Sequence, residues 1–104
     1  MLLAIDVGNT NTVFAVFDGE TQLCQMRCST YGPRTSEEYF VWLNRLMEFH
    51  GVNLSDVDAA IIASVVPQTV FNLKRLCREF FECDPLVVGE PSCHLGVKIK
   101  VKRE

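Results

Sequence analysis

Hydrophobic and polar residues follow one another in short blocks along the chain, and these blocks predict five strands. The first three blocks are apolar or alternate with polar residues, which is typical of strands in an antiparallel meander. A later block, Asp58–Val65, is almost continuously apolar, as expected for a strand in the middle of a sheet. The predicted strands cover residues 2–7, 12–17, 22–28, 58–65 and 85–89, and Gly96–Val101 predicts one more exposed strand or a tail.

Two helices are predicted between these strands. Thr35-Ser36-Glu37-Glu38 has the pattern of a capping box, apolar residues follow at helical spacing, and Gly51 ends the helix. Pro67 suits the first turn of a second helix, whose predicted apolar stripe contains Val70, Leu73, Cys77 and Phe80. The order β-β-β-α-β-α-β predicts an α/β fold with a mixed five-stranded sheet and helices on its faces.

Composition and length narrow the class of protein. The chain has 104 residues, 48% of them hydrophobic and 22% charged, which indicates one folded domain with a real core. A net charge of −3 speaks against a nucleic-acid-binding protein. The start of the chain has no basic segment, and its apolar runs are too short to span a membrane, so we expect a cytoplasmic protein. Five cysteines without a C-x-x-C motif indicate reduced thiols rather than a disulfide framework or a zinc site.

The segment between the first two predicted strands carries the candidate chemistry. A carboxylate, Asp6, follows a buried apolar run, and glycine, amide and hydroxyl residues come directly after it. A tight turn of this kind presents backbone N–H groups and hydroxyls to phosphate oxygens, and the carboxylate suits a hydrated Mg²⁺. The alternative is an ordinary hairpin turn, because Asn, Gly and Asp are common turn residues. A charged Asp directly after a buried strand costs free energy unless it has a function there. This cost favours the phosphate-binding interpretation.

Four segments in this order resemble one enzyme family. They are Asp6-Val7-Gly8-Asn9-Thr10-Asn11, Arg34-Thr35 with Glu37-Glu38-Tyr39, Ile61-Ile62-Ala63-Ser64-Val65-Val66-Pro67, and Pro85-Leu86-Val87-Val88-Gly89. The first resembles the phosphate hairpin of the superfamily of acetate kinases, sugar kinases, heat-shock ATPases and actin. Together the four resemble the N-terminal domain of type III pantothenate kinases over essentially all 104 residues. The resemblance implies a ribonuclease H-like, actin-like ATPase fold.

The same resemblance implies a reaction and a site. Such kinases use ATP to phosphorylate pantothenate to 4′-phosphopantothenate, the first step of coenzyme A synthesis. They also use Mg²⁺ and a monovalent cation, K⁺ or NH₄⁺, and act as homodimers without binding nucleic acid or membrane. In this chain Asp6 would serve the metal. The implied ATP-phosphate site consists of Asp6, Val7, Gly8, Asn9, Thr10, Asn11, Thr12 and Val13.

The chain also departs from the family pattern. The family's Gly-Ala-Asp-Arg segment, with the catalytic Asp, and its Asp-Phe-Gly-Thr turn would lie beyond Glu104, and Val101 stands where an aromatic residue is frequent. We therefore expect residues 1–104 to form one N-terminal ATPase-like domain, without the second domain, that is inactive alone. Two alternatives stay open. One is a non-catalytic nucleotide- or partner-binding relative, similar to transcriptional accessory factors, and the other is a different kinase of the superfamily.

Five further side chains have competing interpretations. Ser64, at a strand end, either faces the cleft or caps the second helix. Thr35 and Glu38 are interpreted as a capping box rather than as ligands. His50 suits the end of a helix better than a catalytic role. Trp42 lies off the main apolar stripe and is expected to cover an edge or a subunit contact.

Overall fold

The computed structural model describes residues 1–90, which form one sheet and two α-helices. The predicted strand or tail at 96–101 lies outside the described residues. Two 3-10 turns, Leu54–Asp56 and Pro67–Thr69, precede β4 and α2. The elements are β1 (Leu2–Val7), β2 (Asn11–Asp18), β3 (Thr21–Ser29), α1 (Ser36–Phe49), β4 (Ala59–Ser64), α2 (Val70–Phe80) and β5 (Leu86–Val87).

The strand order confirms the predicted mixed sheet of five strands. The strands lie in the order β3-β2-β1-β4-β5. β1 pairs antiparallel with β2 and parallel with β4, while β4 pairs parallel with β5. Because β1 and β4 run in the same direction, their carboxyl ends meet at one edge of the sheet, and the β1–β2 turn lies at this edge. The topology thus brings the candidate segment together with the end of β4.

Both helices pack against the same face of the sheet. Alternate residues of β1, namely Leu3, Ile5 and Val7, are at most 1% exposed and belong to one cluster with the buried side chains of the helices. The rings of Phe40 on α1 and Phe80 on α2 stack with their centroids 4.2 Å apart. One core therefore lies between the sheet and the helix pair, as the period-2 and period-3.6 apolar patterns require.

The opposite face of the sheet, which we call the second face, is also mostly apolar. Asp6 is its one charged residue on β1, and Asp6 lies beside Val13 of β2 and Ala63 of β4. On the neighbouring strands Ile61 and Ala63 are buried and Val13 is half-buried. The Asp6 carboxylate thus emerges from an apolar surface near the sheet edge.

Some element boundaries differ from the prediction. β5 is two residues long rather than five, since the chain turns at Gly89, whose φ is +93°. The segment predicted as the first turn of α2 is a 3-10 turn. The predicted stripe of α2 is only partly correct, because Leu76 is fully buried whereas Val70 and Phe80 are half-buried.

Candidate functional site

The β1–β2 turn is a short, exposed loop tied at its base. The backbone N–H of Gly8 donates to the carbonyl of Asn11 at 2.9 Å, and Asn9, Thr10 and Asn11 are exposed. A Cβ added to Gly8 would lie 3.3 Å from the Asn11 carbonyl oxygen, so a side chain here would crowd the turn. Neither Asn9 nor Thr10 donates a backbone hydrogen bond within residues 1–90. The turn therefore presents unused amides, an amide side chain and a hydroxyl at the sheet edge.

Asp6 lies one residue before β1 ends, and its side chain is half-buried on the second face. Within the described residues its carboxylate has neither a hydrogen bond nor an ion pair. No group of three His, Cys, Asp or Glu side chains among these residues surrounds it or could hold a metal by itself. A cation at Asp6 would consequently take its other ligands from water, from phosphate oxygens or from residues elsewhere.

A buried hydroxyl network supports the turn from the helix-facing side. The Thr30 hydroxyl donates to the Gly8 carbonyl at 2.8 Å and lies 2.9 Å from the Thr12 hydroxyl. The Thr30 N–H donates to the Thr10 carbonyl at 2.8 Å. Thr12 is fully buried, so its side chain faces this network and not the solvent. Thr30 had no role in the sequence-based interpretation, because its partners lie about twenty residues away and meet it only through the β2–β3 pairing.

The predicted site residues thus divide into three groups. The half-buried Gly8 and the exposed Asn9, Thr10 and Asn11 form the turn, while Asp6 and Val13 lie side by side on the second face. The Val7 and Thr12 side chains are buried among the core residues. The structure brings the segment together as one hairpin, with different parts available to a ligand from different sides.

The end of β4 lies next to this hairpin. The Val65 N–H donates to the Val7 carbonyl at 3.0 Å. The Ser64 hydroxyl accepts from the Val66 N–H at 2.9 Å and lies 3.0 Å from the Thr69 hydroxyl. Ser64 therefore shapes the turn before α2. It is neither the N-cap residue of α2 nor a group left free toward a cleft.

The loop after β3 is held by Arg34. One guanidinium nitrogen, Nη1, donates to the Ser29 carbonyl at 2.7 Å and to the Cys28 sulfur at 3.2 Å. The same guanidinium lies 5.8 Å from the ring centroid of Tyr31 and 5.6 Å from that of Tyr39. Burial raises the pKa of the Cys28 thiol although Arg34 opposes this, so the thiol stays protonated near neutral pH.

The capping box at the start of α1 is confirmed. The Thr35 hydroxyl accepts from the Glu38 N–H at 3.2 Å, and the Glu38 carboxylate accepts from the Thr35 N–H at 3.0 Å. These bonds lower the pKa of the Glu38 carboxyl. His50 is the C-cap residue of α1, and its N–H bonds the Leu46 carbonyl. The three residues thus have structural roles, as the sequence predicted.

The remaining candidates lie away from the hairpin. Trp42 packs edge-on against Phe14 of β2, with the ring centroids 5.4 Å apart. Cys77 is fully buried, and burial raises the pKa of its thiol to about 12. Two shallow depressions follow α1 around Val41 and Trp42, away from the hairpin. Neither helix among residues 1–90 has the length and apolar character needed to cross a bilayer.

Comparison with known proteins identifies the family. Residues 2–104 match the sequence profile described as type III pantothenate kinase. The chain belongs to the type III pantothenate kinase family. It is 54% identical over 103 residues to the type III pantothenate kinase of Rhodospirillum rubrum, covering 99% of this chain and 40% of that protein. It is 55% identical to the one from Paramagnetospirillum magneticum, with the same coverage.

Solved structures support the fold of this chain. A protein assigned as an N-acetylglucosamine kinase from Porphyromonas gingivalis superposes with a TM-score of 0.59 at 18% identity, covering 84% of this chain and 33% of that one. YeaZ from Pseudomonas aeruginosa superposes with a TM-score of 0.52 at 20% identity, covering 84% and 42%. These similarities confirm the expected ribonuclease H-like, actin-like ATPase fold. The chain spans about 40% of the length of these curated relatives.

Proposed function

We propose that this chain is the ATP-phosphate-binding part of an enzyme that phosphorylates pantothenate to 4′-phosphopantothenate at the expense of ATP. The observation that carries the proposal is the family match over residues 2–104, which includes the whole β1–β2 hairpin. The exposed turn supports the proposal, because backbone amides without a partner within residues 1–90 can bind phosphate oxygens.

The hairpin residues fit an ATP phosphate group and its metal. In this proposal the Asn9 and Thr10 amides, together with their side chains and Asn11, hold phosphate oxygens, and Gly8 allows close approach because it has no Cβ. The Asp6 carboxylate lies beside the turn and has no ion-pair partner in the described part of the chain, so it can accept hydrogen bonds from the water ligands of a hydrated Mg²⁺. Bound Mg²⁺ supplies neutralisation of phosphate charge during transfer. Val7, Thr12 and Val13 contribute by fixing the two strands.

Other parts of the reaction are assigned outside this chain. We propose that the catalytic Asp, the pantothenate contacts and the site for K⁺ or NH₄⁺ belong to the remaining length found in relatives. The proposal includes a cytoplasmic homodimer, and it involves neither a nucleic acid nor a membrane. The 104-residue chain alone should therefore show no turnover.

A chimera tests this function directly. Residues 1–104 replace the matching 40% of the Rhodospirillum rubrum kinase, to which they are 54% identical. The purified chimera is assayed for ATP-dependent phosphorylation of pantothenate, with the intact relative as positive control and the relative without this segment as negative control. We expect activity within about tenfold of the relative. A junction that misplaced the reacting groups would cost more, about a hundredfold.

The assay also separates the alternatives. A folded chimera that binds ATP but never phosphorylates pantothenate would identify the chain as a non-catalytic relative. Phosphorylation of another small-molecule hydroxyl in place of pantothenate would identify a different kinase of the superfamily. Either result would overturn the proposal.

A further inference from the structure

Thr30 donates hydrogen bonds to the carbonyls of Gly8 and Thr10 in the β1–β2 turn. Its hydroxyl also determines the donor and acceptor in the neighbouring hydrogen bond. A hydroxyl has one proton, and that of Thr30 goes to the Gly8 carbonyl at 2.8 Å. In the 2.9 Å contact between the two hydroxyls Thr12 must therefore be the donor. The chain of bonds runs from Thr12 to Thr30 to Gly8, and Thr12 is fully buried. The Thr30 hydroxyl is thus a donor to Gly8 and an acceptor from Thr12.

These bonds determine where two backbone amides point. In a planar trans peptide the C=O of one residue and the N–H of the next point in opposite directions. The Gly8 and Thr10 carbonyls both point to Thr30, and the described residues contain no cis peptide. The N–H groups of Asn9 and Asn11 therefore both point away from Thr30. The Asn9 N–H has no backbone partner within residues 1–90, so it can bind an anion on the side of the turn opposite Thr30.

The loop that contains Thr30 is held by α2 and by the 3-10 turn before it. The Arg34 guanidinium bonds the carbonyl of Ser29, the residue before Thr30, at 2.7 Å. The Asn72 side chain on α2 donates to the Arg34 carbonyl at 2.9 Å. Gly32 lets the loop lie against Gln68, since a Cβ there would be 2.9 Å from the Gln68 Cγ. The position of Thr30 thus depends on contacts that reach back to the helix layer.

We propose that Thr30 is a positioning residue that holds the β1–β2 turn and orients the Asn9 amide toward the ATP phosphates, with Asn72 supporting it through Arg34. The inference rests on the proposed function. It assigns Thr30 no contact with ATP, and it predicts an effect on ATP binding rather than on pantothenate binding.

The test uses the active chimera with Thr30→Val, which keeps the shape and removes the hydroxyl. Losing one such bond should raise the KM for ATP about 3- to 10-fold and leave the KM for pantothenate within about twofold. Thr30→Ser keeps the hydroxyl and should restore the original KM for ATP. Thr21→Val, at the exposed far end of β3, is the matched control and should change neither KM. Hydrogen exchange of the peptide with residues 8–11 should become faster only in Thr30→Val.

A second variant covers the case in which Thr30→Val does not fold. Asn72→Ala removes the bond to the Arg34 carbonyl and should raise the KM for ATP about threefold. Asn44→Ala on α1 is its control. An unchanged KM for ATP in an active, folded chimera with Thr30→Val or Asn72→Ala would overturn the inference even if the melting temperature falls. A chimera that is inactive before any substitution overturns the proposed function and this inference with it.

Discussion

Asp6 is the single carboxylate between residues 6 and 13, and among residues 1–90 it has no ion-pair partner on its apolar face. Replacing it with Asn should separate activity from stability. We expect Asp6→Asn to lower kcat/KM of the chimera about 100-fold or more, since an electrostatic contact near the transferring group has that size of effect. The melting temperature should stay the same or rise, because an unpaired charge leaves an apolar surface. Steady-state kinetics and calorimetry measure the two quantities.

Asp18→Asn serves as the matched control for this prediction. Asp18 is exposed at the other end of β2, next to the positive-φ Gly19. The same change of charge there should leave kcat/KM within about twofold, as for a surface substitution away from the site. Unchanged kinetics in Asp6→Asn would remove Asp6 from the metal-phosphate assignment.

Thr12 and Thr30 show why the sequence predicted only part of the site. The turn was predictable because a carboxylate, a glycine and polar residues interrupt two apolar runs. The direction of each side chain was not predictable, because it depends on which face of the strand packs against the helices. Thr12 lies on the helix-facing side and is buried, whereas its neighbour Val13 lies on the second face. The role of Thr30 depends on the pairing of β2 with β3, which cannot be predicted from the residues next to Thr30.

The stability of the start of α1 should depend on pH. The capping box lowers the pKa of the Glu38 carboxyl below its usual 4.5, through the Thr35 N–H first and the Thr35 hydroxyl second. A carboxyl with a lowered folded-state pKa stabilises the fold above its unfolded pKa, and the stabilisation is lost as the pH falls through the folded pKa. Glu38→Ala should therefore lower the melting temperature at pH 7. The difference from the unsubstituted chain should shrink progressively below about pH 4.5.

Melting curves of the 104-residue chain between pH 7 and pH 2 check this prediction. Glu20→Ala, in the exposed turn after β2, is the control and should leave the melting temperature unchanged at pH 7. A Glu38→Ala difference that stays constant from pH 7 to pH 2 would contradict a role for the ionised carboxylate.

At the element scale, the strands and α1 were predicted well because apolar period and capping chemistry agree there. β1 has the predicted bounds, and α1 begins at the predicted cap. The differences occur where local geometry and long-range packing compete. β5 pairs only with β4 within the described residues and ends early. The strand predicted at 85–89 is therefore only two residues long. In α2 the 3-10 turn at Pro67–Thr69 shifts the buried stripe toward Leu76.

Phe14 connects β2 to α1 within the shared core. Phe14 is fully buried and meets Tyr39 at 5.8 Å and Trp42 at 5.4 Å between ring centroids. It thereby joins the antiparallel part of the sheet to the helix layer. Trp42 is the single tryptophan of the chain, so its fluorescence reports on this packing.

We expect the 104-residue chain to unfold in one cooperative transition, because one core connects the sheet with both helices. Trp42 fluorescence and far-UV circular dichroism should give the same urea midpoint. Phe14→Ala should lower the free energy of unfolding by about 3 to 5 kcal/mol, since a buried ring leaves a cavity. Phe49→Ala, at a site that is 82% exposed, should change it by less than about 0.5 kcal/mol. Separate midpoints for the two probes, or equal effects of the two substitutions, would show that this core does not hold the chain together.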